Sequence, residues 1–391
     1  MAAVTADAAP LPLGLYVHLP WCARKCPYCD FNSHRAPATL PEAAYVDALL
    51  ADLAAEASAA AGRRVGSVYL GGGTPSLFSP GAVGRLLEGI GARLNLAPDC
   101  EITLEANPGT VDGARLAGYR AAGVNRLSLG IQSFDDARLA AIGRIHDGAQ
   151  ARAAVRAARA TGFDNLNLDL MYGLPGQDIA GARADLEAAL AFGPEHLSAY
   201  QLTLEPGTPF HRRPPPLPGA DTLADMGDAL AEALDRAGYD HYEVSAYARP
   251  GGACRHNLNY WTFGDYLAIG AGAHGKLTDR GGVWRYHKPR RPADYLASPR
   301  PAGRHRPGPE ALLVEFLMNA LRLRAGVPAA AFPARTGLAA ATLEAVAAPL
   351  RDQGLLVPDP ARLAPTALGW RHLDGLLARI AAPGPAAAGA V

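Results

Sequence analysis

At 391 residues the chain has room for roughly two domains, one of them barrel-sized. Its 37 basic and 37 acidic residues cancel and no basic tract exceeds a few residues, so electrostatics gives no reason to propose nucleic acid or an anionic membrane as the main partner, and small molecules are favoured. Five cysteines, three of them within eight residues, do not make a disulfide framework and suit a reducing compartment. Residues 1–12 lack the basic start and apolar core of a signal peptide, and no stretch approaches ~18 uninterrupted apolar residues. The expectation is a cytoplasmic protein with disordered ends at 1–12 and 382–391.

The first predicted strand, residues 14–18, ends at Pro20 and delivers the chain into a loop carrying Cys22, Cys26 and Cys29 and stiffened by Pro27. So dense a triplet suits a soft metal or an iron–sulfur cluster better than a core. Three thiolates satisfy three irons of a cubane and leave the fourth open to a small molecule. A zinc site completed by His18 or His34 is the alternative. An Ala-rich helix is predicted over 41–60, with Glu42, Asp47, Asp52 and Glu56 on its polar side.

Strand–loop–helix units then recur. Residues 67–70 precede Gly71, Gly72, Gly73, Thr74 and Pro75; residues 101–105 precede Asn107, Pro108 and Gly109; residues 126–130 precede Gln132; residues 165–169 precede Tyr172; and residues 196–203 precede Glu205. Six strands by residue 238 imply right-handed crossovers and a parallel sheet. Glu105, Gln132, Asp169 and the glycines all stand at the C-terminal ends of their strands, the edge on which such barrels build their sites. Each alone would pass for a helix cap. Together they predict an α/β fold, a partial (β/α)6 barrel over 13–238, with one shared pocket beside the cysteines.

The proline-rich residues 214–218 form a stiff linker ahead of a helix at 220–237. An aromatic and histidine-rich extension follows over 239–300. The region 301–381 reads as helices at 310–323, 328–335 and 340–352, a β-hairpin of 355–357 with 362–364, and a final helix. That is a winged-helix-like α+β layout without base-reading side chains, taken as a packing or lid domain.

The spacing Cys22-x3-Cys26-x2-Cys29 with Tyr28 before the third cysteine, followed by Gly71 to Pro75, resembles the radical S-adenosylmethionine superfamily. The resemblance implies a [4Fe-4S] cluster on the three cysteines with Tyr28 beside it. It also implies S-adenosylmethionine on the fourth iron, cleaved to a 5′-deoxyadenosyl radical. From about residue 13 to 380 the chain is similar to the coproporphyrinogen III oxidase-like group and, within it, to heme chaperones of the HemW type. Similarity implies that Tyr16, Gly72, Gly73 and Thr74 hold the methionine end, and that Glu105, Gln132, Arg144 and Asp169 hold its carboxylate and the ribose. Chemistry agrees: glycine lets backbone donors approach, Asp suits a ribose diol and Arg a carboxylate. Tyr16 reads equally well as a core aromatic.

Two features favour the chaperones. The dehydrogenases place a fourth cysteine two positions after the third, where this chain has Phe31, and they carry a longer N-terminal arm. His256-Asn257-x-x-Tyr260-Trp261 matches the chaperone signature and implies contact with heme, Tyr260 and Trp261 offering flat surfaces. By chemistry alone His256 reads as a packing histidine or a ligand, and Cys254 as a free buried thiol or a second ligand. His274 ends another strand-like run and is a further pocket candidate, and Cys100 reads as structural. The implied function is a heme chaperone that delivers heme to a recipient hemoprotein, with peripheral contact to membrane-bound hemoproteins. The alternative is oxygen-independent coproporphyrinogen III dehydrogenase. No catalytic residue is assigned.

Overall fold

The computed structural model describes residues 11–60 and 62–381. The expected disorder at 382–391 and at 1–10 lies outside them. Leu11 and Pro12 differ from the expectation: Arg63 donates to both carbonyls, and the Asp265 N–H to that of Pro12, so the chain is already packed here.

The six expected strands are present as β1 (Leu13–Leu19), β2 (Arg64–Gly72), β3 (Asn95–Ala106), β4 (Arg126–Gln132), β5 (Leu166–Tyr172) and β6 (His196–Gln201). They lie in chain order, each parallel to the next. Alternation explains their two faces. In β4, Leu127, Leu129 and Ile131 join the apolar core beneath the helices, while Ser128 and Gln132 line a cavity on the other side.

Helices α1 (Glu42–Glu56), α2 (Pro80–Gly91), α3 (Gly113–Ala121), α4 (Gly148–Ala160), α5 (Ile179–Leu190) and α6 (Ala220–Arg236) fall between or after these strands. Ser79, Asp112, Asp147 and Asp178 each cap a helix by accepting a backbone N–H of its first turn. Such caps contribute about 1 kcal/mol apiece. The inner face is concave, because Tyr200 of β6 reaches past β5 to donate to Gln132 of β4 at 2.6 Å.

Residues 239–305 extend the same sheet at both edges, five residues past the expected boundary at 300, because Gly303–His305 pairs with the extension's last strand. β7 (Asp240–Glu243) and β8 (Ala246–Ala248) run antiparallel beyond β6. On the other side β9 (Asp265–Ile269) pairs parallel with β1, followed by antiparallel β10 (His274–Asp279), β11 (Gly282–His287) and β12 (Gly303–His305). Between them α7 (Arg255–Trp261), which carries His256 and Tyr260, packs on β1 and β2. Lys288 lies fully buried between Asp52 and Glu56 of α1 and clamps this extension to the barrel.

The last region has helices Pro309–Ala320, Ala331–Thr336, Ala340–Asp352, Ala367–Arg371 and Leu373–Ala381. Its hairpin is smaller than expected: Leu356 bridges Pro365, while Arg362–Leu363 pairs with Val327–Pro328. Phe316, Phe332, Leu350 and Leu363 form its core with Phe263 of the extension. No helix among the described residues is long and apolar enough to cross a membrane.

Candidate functional site

At the C-terminal ends of the parallel strands lies a cavity of about 430 Å³, within the roughly 300–1,000 Å³ of small-molecule sites. Cys22, Cys26, Cys29, Tyr28, Gly72, Gly73, Thr74, Glu105, Gln132, Arg144 and Asp169 all line it, with Phe31 and Arg24 at its border. Eleven of the sixteen residues singled out in the sequence therefore meet in one place. Tyr16, His256, Asn257, Tyr260 and Trp261 do not line it.

The cysteine loop is held by its own backbone and by the extension. Trp21 and Cys22 pair with His34 and Arg35, closing the loop at its base. Lys25 donates to the carbonyls of Phe31 and Ser33, and the Asn32 amide donates to those of Ala271 and Arg290, both at 2.9 Å. His18 supports Asn32 from beneath. Its Nε2 faces the Asn32 carbonyl, which can only accept, so Nε2 carries the proton and Nδ1 accepts from the Tyr16 hydroxyl; both contacts are 2.9 Å. Burial lowers the His18 pKa to about 4, which keeps the ring neutral. Tyr16 thus buttresses the loop, and His18 has no free nitrogen for a metal.

The three thiols are unbonded to one another. Burial raises the pKa of Cys22 and of Cys29, with Lys25 opposing it at Cys29. The Arg144 guanidinium stands 3.8 Å from the Cys26 sulfur. Among the described residues no three His, Cys, Asp or Glu side chains converge on one point as a single ion requires. Three thiols spread around a cavity fit a polynuclear iron–sulfur group, whose irons stabilise thiolates that burial disfavours.

The glycines do something other than expected. A Cβ on Gly73 would stand 2.6 Å from the Trp21 carbonyl oxygen, and Gly72 has φ of +116°. Glycine here lets β2 end against the entry to the cysteine loop. The N–H groups proposed as ligand donors are already engaged: Gly73 donates to Leu19, Thr74 to Trp21 and Gly72 to the Glu105 carboxylate.

Glu105 also accepts from the Tyr69 hydroxyl at 2.8 Å. Burial raises its pKa to about 7; the Tyr69 and Gly72 hydrogen bonds and the Arg126 charge work against that rise, and Asp169 adds to it. Asp169 is raised too, by burial, against hydrogen bonds that include Asn167 and Ser128. Gln132 has φ of 70° where β4 breaks register with β5, an uncommon backbone for glutamine that aims its side chain at the cavity. Arg144 lines the cavity and donates to the Gly130 carbonyl at 2.6 Å, while its Nε is buried without a partner among the described residues. Two buried carboxylates, one guanidinium and three thiols suit a ligand with cationic, carboxylate and hydroxyl parts.

His256 is 3% exposed. Its ring stacks on Tyr69 at 4.5 Å and lies 4.4 Å from Tyr260; burial and the Arg126 charge lower its pKa to about 3. A heme iron has no approach to it in this arrangement. Asn257, Tyr260 and Trp261 are half-buried, with Arg322 covering one face of Trp261. Cys254 is buried 3.6 Å from Glu101, and Cys100 is buried beside it in sequence. His274 is exposed, stacked on His287 away from the cavity lining.

Sequence reasoning missed Tyr69, Ser128, Asn167, His196 and Tyr200. Ser128 and Tyr200 line the cavity. Tyr69, Asn167 and His196 lie behind it. The signal was parity: polar residues two positions before Asp169 and four before Gln132 face inward with them.

The Radical SAM superfamily profile matches residues 16–189 and the HemN C-terminal domain profile residues 309–372. The chain is 48% identical over 328 residues to the "Heme chaperone HemW" of Escherichia coli, covering 84% of this chain and 87% of that one. To the protein of the same name from Mycobacterium tuberculosis it is 39% identical over 378 residues, 94% of each. In fold it matches the E. coli coproporphyrinogen III oxidase (HemN) with a TM-score of 0.80 at 23% identity, over 96% of this chain and 91% of that one.

Proposed function

The chain belongs to the family of HemW heme chaperones within the radical SAM superfamily, and from that membership we propose that it binds heme and delivers it to a recipient hemoprotein. A [4Fe-4S] cluster and S-adenosylmethionine occupy the cavity. The observation that carries this is convergence: the three thiols share one enclosure with Glu105, Gln132, Arg144 and Asp169. Cys22, Cys26 and Cys29 would hold the cluster. Arg144, which lines the cavity, takes the methionine carboxylate; Glu105 takes a cationic group, and Asp169 the ribose diol. When bound together, cluster and S-adenosylmethionine supply one-electron reduction of a sulfonium. The likeness to the oxidase is one of fold and carries no activity with it.

For the heme, the His256 signature is the contact we propose, reached through Asn257, Tyr260 and Trp261. Ligation by His256 itself requires α7 to shift from Tyr69. Cytoplasmic location and peripheral contact with membrane-bound hemoproteins belong to the same proposal. Its test is a heme titration of reconstituted protein followed by absorption spectroscopy. Saturable binding is expected, weakened by Tyr260→Ala. Absence of saturation sinks the chaperone reading.

A further inference from the structure

A line of buried and part-buried hydrogen bonds runs from the floor of the cavity to the start of α7. Asn167 is 2% exposed and His196 1%. The Asn167 amide donates to Asp169 Oδ1 and to Ser128 Oγ, both at 2.8 Å. Its oxygen must therefore be the acceptor facing His196 Nδ1 at 2.6 Å and Ser198 Oγ at 3.1 Å. His196 then carries its proton on Nδ1. Its Nε2 is left to accept from the Tyr242 hydroxyl at 2.9 Å. The Tyr242 oxygen in turn receives the backbone N–H of Cys254, the residue that caps α7, at 3.4 Å.

Every bond in this line points the same way, donor towards Asp169, and the directions follow from partners rather than from assumption. Burial and the Arg126 charge lower the His196 pKa well below its ordinary value, consistent with the single tautomer. An aligned chain in a dry interior polarises link by link. Reversing or removing one member leaves another buried polar atom unpaired. Three strands and the extension contribute: Asn167 and Asp169 from β5, Ser128 from β4, His196 from β6, Tyr242 from β7.

We propose that His196 is a positioning residue for the cavity: through Asn167 it fixes the Asp169 carboxylate, and through Tyr242 it ties that carboxylate to the helix bearing the His256 signature. The inference rests on the cavity being the S-adenosylmethionine site. It makes residues 239–261, outside the six-stranded barrel, part of what sets affinity there, and linkage makes the coupling reciprocal.

The test is equilibrium dialysis of S-adenosylmethionine against anaerobically reconstituted full-length protein, with iron content and circular dichroism confirming that each variant is loaded and folded. Tyr242→Phe removes one hydroxyl far from the cavity and is expected to weaken binding about three- to tenfold, the worth of one buried hydrogen bond. His196→Phe should weaken it at least as much; if that variant does not fold, Tyr242→Phe carries the test alone. Asp169→Asn weakens binding directly, and adding Tyr242→Phe to it should cost nothing further, because both act through one carboxylate. Unaltered affinity in Tyr242→Phe, or penalties that add in the double variant, overturns the proposal. Failure of the unaltered protein to bind S-adenosylmethionine is a different result, and it removes the cavity assignment and this inference with it.

Discussion

Among single residues, Glu105 has the most consequential electrostatics. It is the buried carboxylate whose pKa lies at about 7, and a cationic ligand binds its ionised form. The sign follows: affinity for S-adenosylmethionine is complete well above that value and falls by about tenfold per pH unit well below it. Equilibrium dialysis from pH 5.5 to 8.5 checks this. Glu105→Gln should flatten the profile and reduce affinity at pH 8, whereas a profile unchanged by the substitution would remove Glu105 from the site. Asp169 and Glu105 were legible in the sequence because a carboxylate closing a strand is conspicuous. Tyr69 and His196 were not, since a tyrosine or histidine inside a strand reads as packing until its partner is known. The glycines were legible as a feature but not in purpose, because nothing in a Gly run tells whether its N–H groups face a ligand or a neighbouring strand.

At the level of elements, six parallel strands could be read from apolar runs ended by polar or glycine-rich loops. β9 lies in the strand-like run that ends at His274, but its partner could not be read: its five residues follow a short helix and pair with β1 some 250 residues earlier, a choice that tertiary context makes. The joint between the extension and α1 rests on Lys288, which is fully buried with Asp52 and 3.0 Å from Glu56. Lys288→Met leaves two carboxylates facing each other without that cation, and the expected loss is about 3–5 kcal/mol, read as a lower urea midpoint for unfolding. Arg304, 3.2 Å from Glu56 on the outer side, is half-exposed and can screen only part of this. A midpoint equal to that of the unaltered protein would show that the clamp carries no net stability. Asn32 is the corresponding joint for the cysteine loop, since its amide binds the extension at Ala271 and Arg290.

Among the described residues, one twelve-stranded sheet runs from the barrel through its extension, and a helical C-terminal region packs on that extension. The cysteine loop is held to the extension through Asn32, and a line of hydrogen bonds joins the cavity to the start of α7. That arrangement fits a protein in which a cofactor site and a cargo site report on each other. The C-terminal region was legible as helices with a small ladder, but the pairing of Arg362 with Pro328 was not, because a two-residue strand leaves no pattern to read. Onward transfer of heme by this scaffold is measured by loading the anaerobically reconstituted protein with heme, mixing it with an apo-hemoprotein, and following the spectrum of the recipient. Holo-recipient is expected to appear faster than from free heme, and more slowly when Cys22, Cys26 and Cys29 are replaced by alanine. Heme that stays bound, or that reaches the recipient no faster than free heme does, would contradict it.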